Sequence, residues 1–538
     1  MLPHCRRSTL ARVFATLLAG LAGAAAVHAD TSRVNVANVA ILGTQTTAIA
    51  RPRGELVLGT NGNIYFTSEA GGSTGLGTVS TLAPDGTVTV LHSFAGADTE
   101  GTSPYAGVIQ ASDGNFYGTT YLGGARNLGT VYRISPSGDF ANLASFTNES
   151  QGGFLPYAAL VQHPNGDLYG TTLRGGTNDA GTIFRITLAG NVTVLRSFAG
   201  ADGRNPEGKL VVGTDGALYG TTLIGGAADR GTVYRITPDG ATFTTLYSFP
   251  SLGAFNAAGV ATNATGANPR AGLTRGADGN FYGTAYQGGA GGYGTVYRMT
   301  PSGSVTNLHD FEGAPFDGGY PLSAVNQLPD GTLVGTTEKG GAAGNGSVWS
   351  ISPSGQYTHL HSLSFLPLDG GQSYISLLPF NGQLYGATST DFTYSAGAIF
   401  RIERAVNGVL PITISATPDR LTTGGTVTVT WNGAAYPSCS AGGEWEGTTI
   451  GVAGTQTFTP GAGIRTYSLL CTDAAGAFHN AYATVFVAAP EAKPVDGGGD
   501  GGGGGATDPL LLAALAGFTA FTLVRRHREF SRRTQDRP

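Results

Sequence analysis

Along most of the chain, apolar and polar positions alternate in short runs broken by Asp-Gly, Ser-Gly or Gly-Gly pairs. The stretch 113–146, DGNFYGTTYLGGARNLGTVYRISPSGDFANLASF, shows the unit. Its runs near 107–111, 115–120, 130–134 and 139–146 have a period of two. They are rich in Val, Ile, Tyr, Phe and Thr, which predicts four half-buried strands. Asp113-Gly114 and Ser137-Gly138 fall between paired runs, where a hairpin turn needs positive φ. Gly123-Gly124 opens a third, variable loop.

The unit recurs seven times. Aligned on the tyrosine of YGT, the copies fall at Tyr65, Tyr117, Tyr169, Tyr219, Tyr282, Val334 and Tyr385, at intervals of 52, 52, 50, 63, 52 and 51 residues. The glycine of GTV keeps the same intervals from Gly77 to Gly397. Such a period marks a supersecondary unit that buries its faces only against its neighbours. Four strands in each of seven units predict an all-β fold, a seven-bladed β-propeller. The last unit lacks a recognisable fourth strand, and the apolar run 34–42 ahead of the first unit is unclaimed. That run is expected to complete the last blade and close the ring, removing a free sheet edge.

The pattern DGxxYGTT…GG…GTVYRITPxG…LxSF resembles the GloVer tandem repeat of bacterial surface proteins with alternative C-terminal anchors. The resemblance covers the chain from about Arg51 to Arg404 and implies a secreted repeat protein. It brings no catalytic residues with it.

The flanking segments predict the remaining organisation. Residues 1–29 carry Arg6, Arg7 and Arg12, an apolar stretch and Val27-His28-Ala29, the form of a secretory signal peptide. Residues 30–405 are assigned to the propeller. Residues 410–489 alternate like short strands and resemble bacterial immunoglobulin-like modules, a small β-sandwich with Trp431 on a central strand. Cys439 and Cys471 are the mature chain's cysteines, and in an oxidising compartment a disulfide between them is expected. The span 490–507 is a Gly-rich linker. In 508–538 an apolar run and an arginine cluster follow, a C-terminal membrane segment that resembles GlyGly-type sorting signals. The resemblance implies an intramembrane rhomboid-like sorting protease as partner, with a plain membrane anchor as the alternative.

Glycine, at 87 residues, falls at fixed repeat positions and therefore reads as turns, not disorder. The signal carries +3 and 525–538 carries +4 against −5 for the whole chain, which leaves −12 for residues 30–524. An acidic ectodomain without a basic stripe disfavours nucleic acid as a partner.

Several constellations invite chemistry. Gly71-Gly72-Ser73-Thr74-Gly75 spells GxSxG and 289–294 spells GxGxxG, yet neither precedes a helix, as a nucleophile elbow or dinucleotide site requires. Arg133, Arg185, Arg235, Arg298 and Arg401 share one repeat position, where pairing within the frame outweighs an anion-binding ring because units one and six have Thr81 and Ser350. His92, His309 and His361 share another. His359 and His361 are spaced for one strand face, but no third ligand accompanies them and no metal or cofactor is assigned. Glu69 and Glu338, at symmetry-related positions, are the one candidate acid/base pair. The loops vary while the strands do not, and varying loops on a rigid frame carry recognition. Glu69, Tyr121, Tyr286 and Glu338 at one repeat position, with Arg174 and Lys339 at the next and Asp391 one further on, are the binding candidates. The expectation is an exported, envelope-associated, non-enzymatic scaffold binding a glycan or protein, and no catalytic residues are assigned. The alternatives are a hydrolase or lyase acting on extracellular polysaccharide and a structural surface component.

Overall fold

The computed structural model describes residues 35–487 except 43–48, 97–99, 147–152, 315–316, 343, 364–370, 390–395, 404–411, 419, 446–449 and 473–477. The expected signal peptide, linker and sorting segment lie outside the described residues, as does Asp391. Every regular element among the described residues is a β-strand.

In the second repeat the strands are Ile109–Gln110, Phe116–Thr120, Thr130–Ile134 and Phe140–Ser145, paired antiparallel in that order. The first strand is shorter than its sequence predicts. Pro104 lacks an N–H, and the carbonyl of Ala106 accepts a 2.8 Å hydrogen bond from Thr67 Oγ1 of the preceding sheet. The third residue of YGT makes the same bond at other junctions, from Thr221 to Ala271 O at 2.8 Å and from Thr284 to Ser323 O at 3.2 Å.

The YGT glycine has a packing reason. Gly118 lies opposite Tyr132, and a Cβ there would sit 2.4 Å from the phenol oxygen. Gly220 faces Tyr234, Gly335 faces Trp349 and Gly386 faces Phe400 in the same way. The first sheet inverts the pair, with Phe66 where the others have glycine and Ser80 where they have the aromatic. One large ring per cross-strand pair fills the space, and either strand can supply it.

Among the described residues, five four-stranded sheets lie between a five-stranded first sheet and a last one in which Leu378–Phe380, Gln383–Thr388, Ala398–Glu403 and Asn35–Ile41 are part of an eight-stranded sheet, and an apolar cluster lies at each junction. Tyr65, Val79 and Phe94 of the first sheet pack on Phe116 and Tyr132 of the second. The other junctions repeat this, and Phe66 and Ile64 of the first sheet pack on Ile375 and Ile399 of the seventh. The result is a propeller-like ring. Polar contacts index each junction. The residue before the channel-lining segment (Arg51, Ser103, Leu155, Asn205, Asn268, Tyr320, Gln372) has φ between 53° and 59°. Its N–H donates to the preceding sheet, as from Leu155 to Leu128 O at 2.9 Å and from Arg51 to Ala396 O at 2.7 Å. At every junction but that of Gln372, which Ser373 follows, the next residue is a proline that packs on the GT glycine of the preceding sheet. A Cβ on Gly77, whose φ is 110°, would meet Pro104 Cδ at 2.5 Å.

Strand Asn35–Ile41 completes the seventh sheet by pairing antiparallel with Ala398–Glu403. It even reproduces a β-bulge, with Val39 standing where Leu143 stands in the second sheet. Leu42 N donates to Gly397 O at 3.1 Å just as Phe146 N donates to Gly129 O at 3.0 Å. The segments VANVAIL and FANLASF are therefore equivalent, a likeness present in the sequence that the apolar run alone did not reveal. The outer edge of this strand is also covered. Val36 and Ala37 pair with Asn480 and His479 of strand Phe478–Val487.

Residues 412–487 form two packed sheets. Thr413–Thr417, Val427–Asn432 and Ala453–Phe458 make one; Ser438–Gly443, Gly463–Thr472 and Phe478–Val487 make the other, with Arg420–Leu421 alongside. Trp431, on the middle strand of the first, meets Trp445 edge to face at 5.0 Å in the buried core. Cys439 and Cys471 are joined as a directly opposed pair on neighbouring strands of one sheet.

The inverted pair yields a test. Phe66→Gly is expected to cost about 3–5 kcal/mol, the range for emptying a buried aromatic site. Adding Ser80→Tyr should restore most of it by giving the first sheet the arrangement of the others. Urea unfolding of both variants measures this, and strictly additive losses would contradict the account.

Candidate functional site

The segment after each recurring proline lines the axis of the ring, and its first residue is the one that changes most in chemistry. These residues are Arg53, Tyr105, Tyr157, Glu207, Arg270, Leu322 and, in the seventh repeat, where no proline precedes it, Tyr374, all partly buried. The loop residue at the end of YGTT reaches the same end of the axis. Tyr121 lies 4.8 Å from Tyr105 and 6.2 Å from Tyr157 between ring centroids, and Tyr105 lies 5.6 Å from Tyr157. Three tyrosines from two sheets thus make one continuous aromatic arc.

Charged groups continue it on both sides. The Arg53 guanidinium lies 5.0 Å from the Tyr105 centroid and 4.9 Å from that of Tyr374. Its Nε is 2.8 Å from Glu69 Oε2, an ionic contact in which the N–H is not aimed at the oxygen. Arg51 approaches the same carboxylate at 3.9 Å. Across the mouth, Arg270 binds Glu207 at 2.8 Å and 3.4 Å, and the Glu207 side chain is only 8% exposed. Arg270 also lies over Tyr286 at 5.5 Å, and Tyr286 donates to Glu338 at 2.9 Å. Burial, helped by Glu69 and opposed by Arg53, pushes Tyr105 up to about 12. Burial and then Glu338 raise Tyr286 as well, so both phenols stay protonated hydrogen-bond donors at neutral pH.

One layer further along the lining segment stand Glu55 and Lys209, from the first and fourth sheets, with Gly107, Ala159 and Gly272 at the equivalent positions. Lys209 Nζ meets Glu55 Oε2 at 3.2 Å, so an ion pair spans the axis below the tyrosine arc.

The binding candidates named from sequence therefore fall into groups. Glu69 and Tyr121 belong to the arc through Arg53 and Tyr105. Tyr286 and Glu338 form a second group with Tyr320, whose ring lies 5.0 Å from Tyr286 and 5.5 Å from Lys339 Nζ. Arg174 stands apart. It pairs with Asp179 at 2.9 Å and borders a cleft of about 490 Å³ between the third and fourth sheets, with Arg204 and Asn205 opposite. Glu69 and Glu338 are held by different partners, on sheets separated by the seventh. Sequence reasoning missed the axial residues because it took only loops to be free. The signal was the residue after each recurring proline, variable inside an otherwise repeated segment.

The histidines differ from expectation. The fourth strand carries a bulge at Leu360, so His359 pairs with Trp349 while His361 pairs with Val348. Consecutive partners face opposite sides, hence the two histidines do not share a face. Among the described residues no group of three metal-ligating side chains assembles. His92 and His309 bridge sheets. His92 stacks on Phe140 at 3.9 Å with Glu100 3.4 Å away, and His309 stacks on Tyr357 at 3.7 Å with Asp317 at 3.0 Å. Arg196, over Phe243 at 4.4 Å and paired with Asp202, plays the same part in the third sheet. Arg235 and Arg185 contact the turn carboxylates Asp215 and Asp167 of their own sheets at 2.8 Å and 3.8 Å, a frame role. In the GxSxG stretch Ser73 N donates to Ser93 Oγ at 3.3 Å and no helix follows; none follows Gly294.

The Gloeobacter/Verrucomicrobia repeat family matches residues 51–265 and 250–450, and the chain belongs to that family. None of the curated proteins compared with the chain matches it. Among solved structures, a lectin from Burkholderia pseudomallei is similar at 12% identity, with 76% of this chain and 97% of that one covered and a TM-score of 0.40. A β-xylosidase/α-arabinofuranosidase from a compost microbial metagenome shares 10% identity over 71% and 97% of the two chains, at a TM-score of 0.29. A puromycin hydrolase shares 13% identity over 81% and 60%, at 0.42.

Asp317 gives a pH prediction. Burial raises its pKa, but hydrogen bonds from His309, Tyr357 and the Glu312 N–H outweigh this and hold it below the usual value. The unfolded chain therefore binds the proton more readily. Stability from this group is present above the ordinary carboxylate pKa and is lost as pH falls through the folded value. Burial, opposed by Glu100, lowers His92, so its protonation below about pH 6.5 also opposes folding. Asp317→Asn is expected to cost about 2–3 kcal/mol at pH 7 and to flatten the acid limb of the stability profile. Denaturant titrations from pH 3 to pH 7 check both.

Proposed function

We propose that the chain is an exported cell-envelope protein whose seven-bladed β-propeller is a non-enzymatic scaffold binding a glycan or protein at the mouth of its axis. The observation carrying this reading is the distribution of variation. The frame repeats its packing pairs and junction bonds, while Arg53, Tyr105, Tyr157, Glu207 and Arg270, at one repeat position, range over arginine, tyrosine and glutamate and meet at one opening. Paired carboxylates favour recognition over proton transfer, since Glu69, Glu207 and Glu338 each already have a cation or phenol partner. The sandwich of residues 410–489 is taken as an Ig-like stalk with the Cys439–Cys471 disulfide. The leader 1–29 and the tail 508–538 are taken as export and sorting signals.

Two measurements test this. The double variant Tyr121→Ala, Tyr286→Ala should weaken binding of the exported protein to its cell's own envelope polymers by about tenfold or more without lowering its melting temperature. Unchanged binding contradicts the placement, and release of cleaved saccharides in the same assay would make the protein an enzyme. C-terminal peptide mapping of surface material should find 525–538 removed, whereas an intact tail would assign a simple membrane anchor.

A further inference from the structure

Building on the binding role just proposed, the charge pattern at the mouth narrows the ligand. Each axial cation there has a carboxylate: Arg53 has Glu69, which Arg51 also approaches at 3.9 Å, Arg270 has Glu207 and Lys209 has Glu55. An acidic ligand would have to displace Glu69 or Glu207 from a half-buried guanidinium and leave that carboxylate unpaired. A basic ligand would have to displace the arginines. Either exchange leaves a charge poorly solvated, which is the expensive outcome in a partly buried site. A polyhydroxylated neutral ligand avoids it. Its hydroxyls both donate and accept, so they can add to the remaining lone pairs of the carboxylates and the outward N–H groups of the guanidiniums without breaking either pair.

The tyrosine arc supplies the other half of such a site. Tyr105, Tyr121 and Tyr157 touch one another at 4.8 to 6.2 Å, so they leave no cage for a cation between them and instead present a joined surface of ring faces and edges. The apolar C–H face of a pyranose can lie on such a surface while its equatorial hydroxyls point sideways to the charged pairs. Tyr157 lies within electrostatic reach of Glu207, Arg53 and Arg270, which places both pairs beside the arc. The Lys209–Glu55 bridge crosses the axis beneath, in the path of any polymer threading through.

We propose that the mouth receives the end of an uncharged oligosaccharide, its terminal pyranose stacked on the Tyr105–Tyr121–Tyr157 arc and its hydroxyls bonded to the Arg53–Glu69 and Arg270–Glu207 pairs. The ligand is neutral because the site's charges are already spent on each other. It is a chain end because that ion pair crosses the axis beneath the arc.

The test is calorimetric titration of the intact exported protein with linear oligomers of glucose, xylose, mannose and N-acetylglucosamine, and, beside them, with oligogalacturonate. At least one neutral series should bind, and its affinity should change little between low and high salt. Its molar affinity should level off with chain length, since one end occupies one site, whereas internal binding would keep rising with the number of registers. Tyr157→Ala, in the arc, should lower affinity by about tenfold or more. Arg204→Ala, in the outer cleft, should leave it unchanged, and melting curves confirm that both variants fold. Binding of oligogalacturonate alone, strong salt dependence, or affinity that grows in step with length would overturn the proposal while leaving a glycan-binding mouth intact. Binding of neither class would overturn the proposal, and capture of an envelope protein through the mouth would then keep the scaffold reading in its protein form. Loss of binding on Arg204→Ala with none on Tyr157→Ala would place the ligand in the cleft and contradict the proposal.

Discussion

Everything in this fold depends on sheets that have two apolar faces and cannot bury either one alone. Tyr65, Phe94, Phe116 and Tyr132 are fully buried only because consecutive sheets meet. A row of such sheets has two costly ends, and bending it into a ring removes both. The ring must then be held shut by something other than chain continuity. Strand Asn35–Ile41 does this by carrying the start of the described chain into the seventh sheet, with Leu42 completely buried at the seam between the seventh and first sheets. The YGT threonine that ties other junctions is replaced by Ala387 at this one. The seam therefore relies more on the closing strand.

Closure also explains the strained residues. Non-glycine side chains with positive φ cost about 1–2 kcal/mol each, and here they recur at every junction. Each is over-determined. Leu155, for example, donates to Leu128 O at 2.9 Å and accepts from Leu173 N at 3.0 Å, so two neighbours fix its backbone. The strain turns the chain sharply from the loop into the axial segment, and it is this turn that aims Arg53, Tyr105 and Tyr157 at one opening. The arrangement of the mouth is thus a consequence of how the sheets are joined.

Much of the frame was legible because the repeat spells it: turns at Asp113-Gly114, a tyrosine and a glycine in YGT, a ring in TVYRI. The bulge was not legible, since Leu360 looks like any strand residue, and without it His359 and His361 fall on the wrong faces. The positive-φ position was hidden too, because Arg51, Leu155 and Tyr320 share no chemistry and only the backbone geometry unites them. Tyr121 and Glu69 were found by their position in a variable loop. Tyr105, Glu207 and Arg270 were overlooked, being one residue beyond a recurring proline in what reads as a buried strand. The pairing of Val36 and Ala37 with Asn480 and His479 is a contact distant in sequence that no local pattern announces.

The central claim is that recognition sits on the axial segments of the ring. Amide hydrogen exchange on the intact protein, with and without purified envelope polysaccharide, tests it directly. Added protection should appear in the peptides spanning 51–55, 103–107, 155–159 and 205–209 and be absent from 412–487. Protection confined to 412–487, with the axial peptides unchanged, would contradict it.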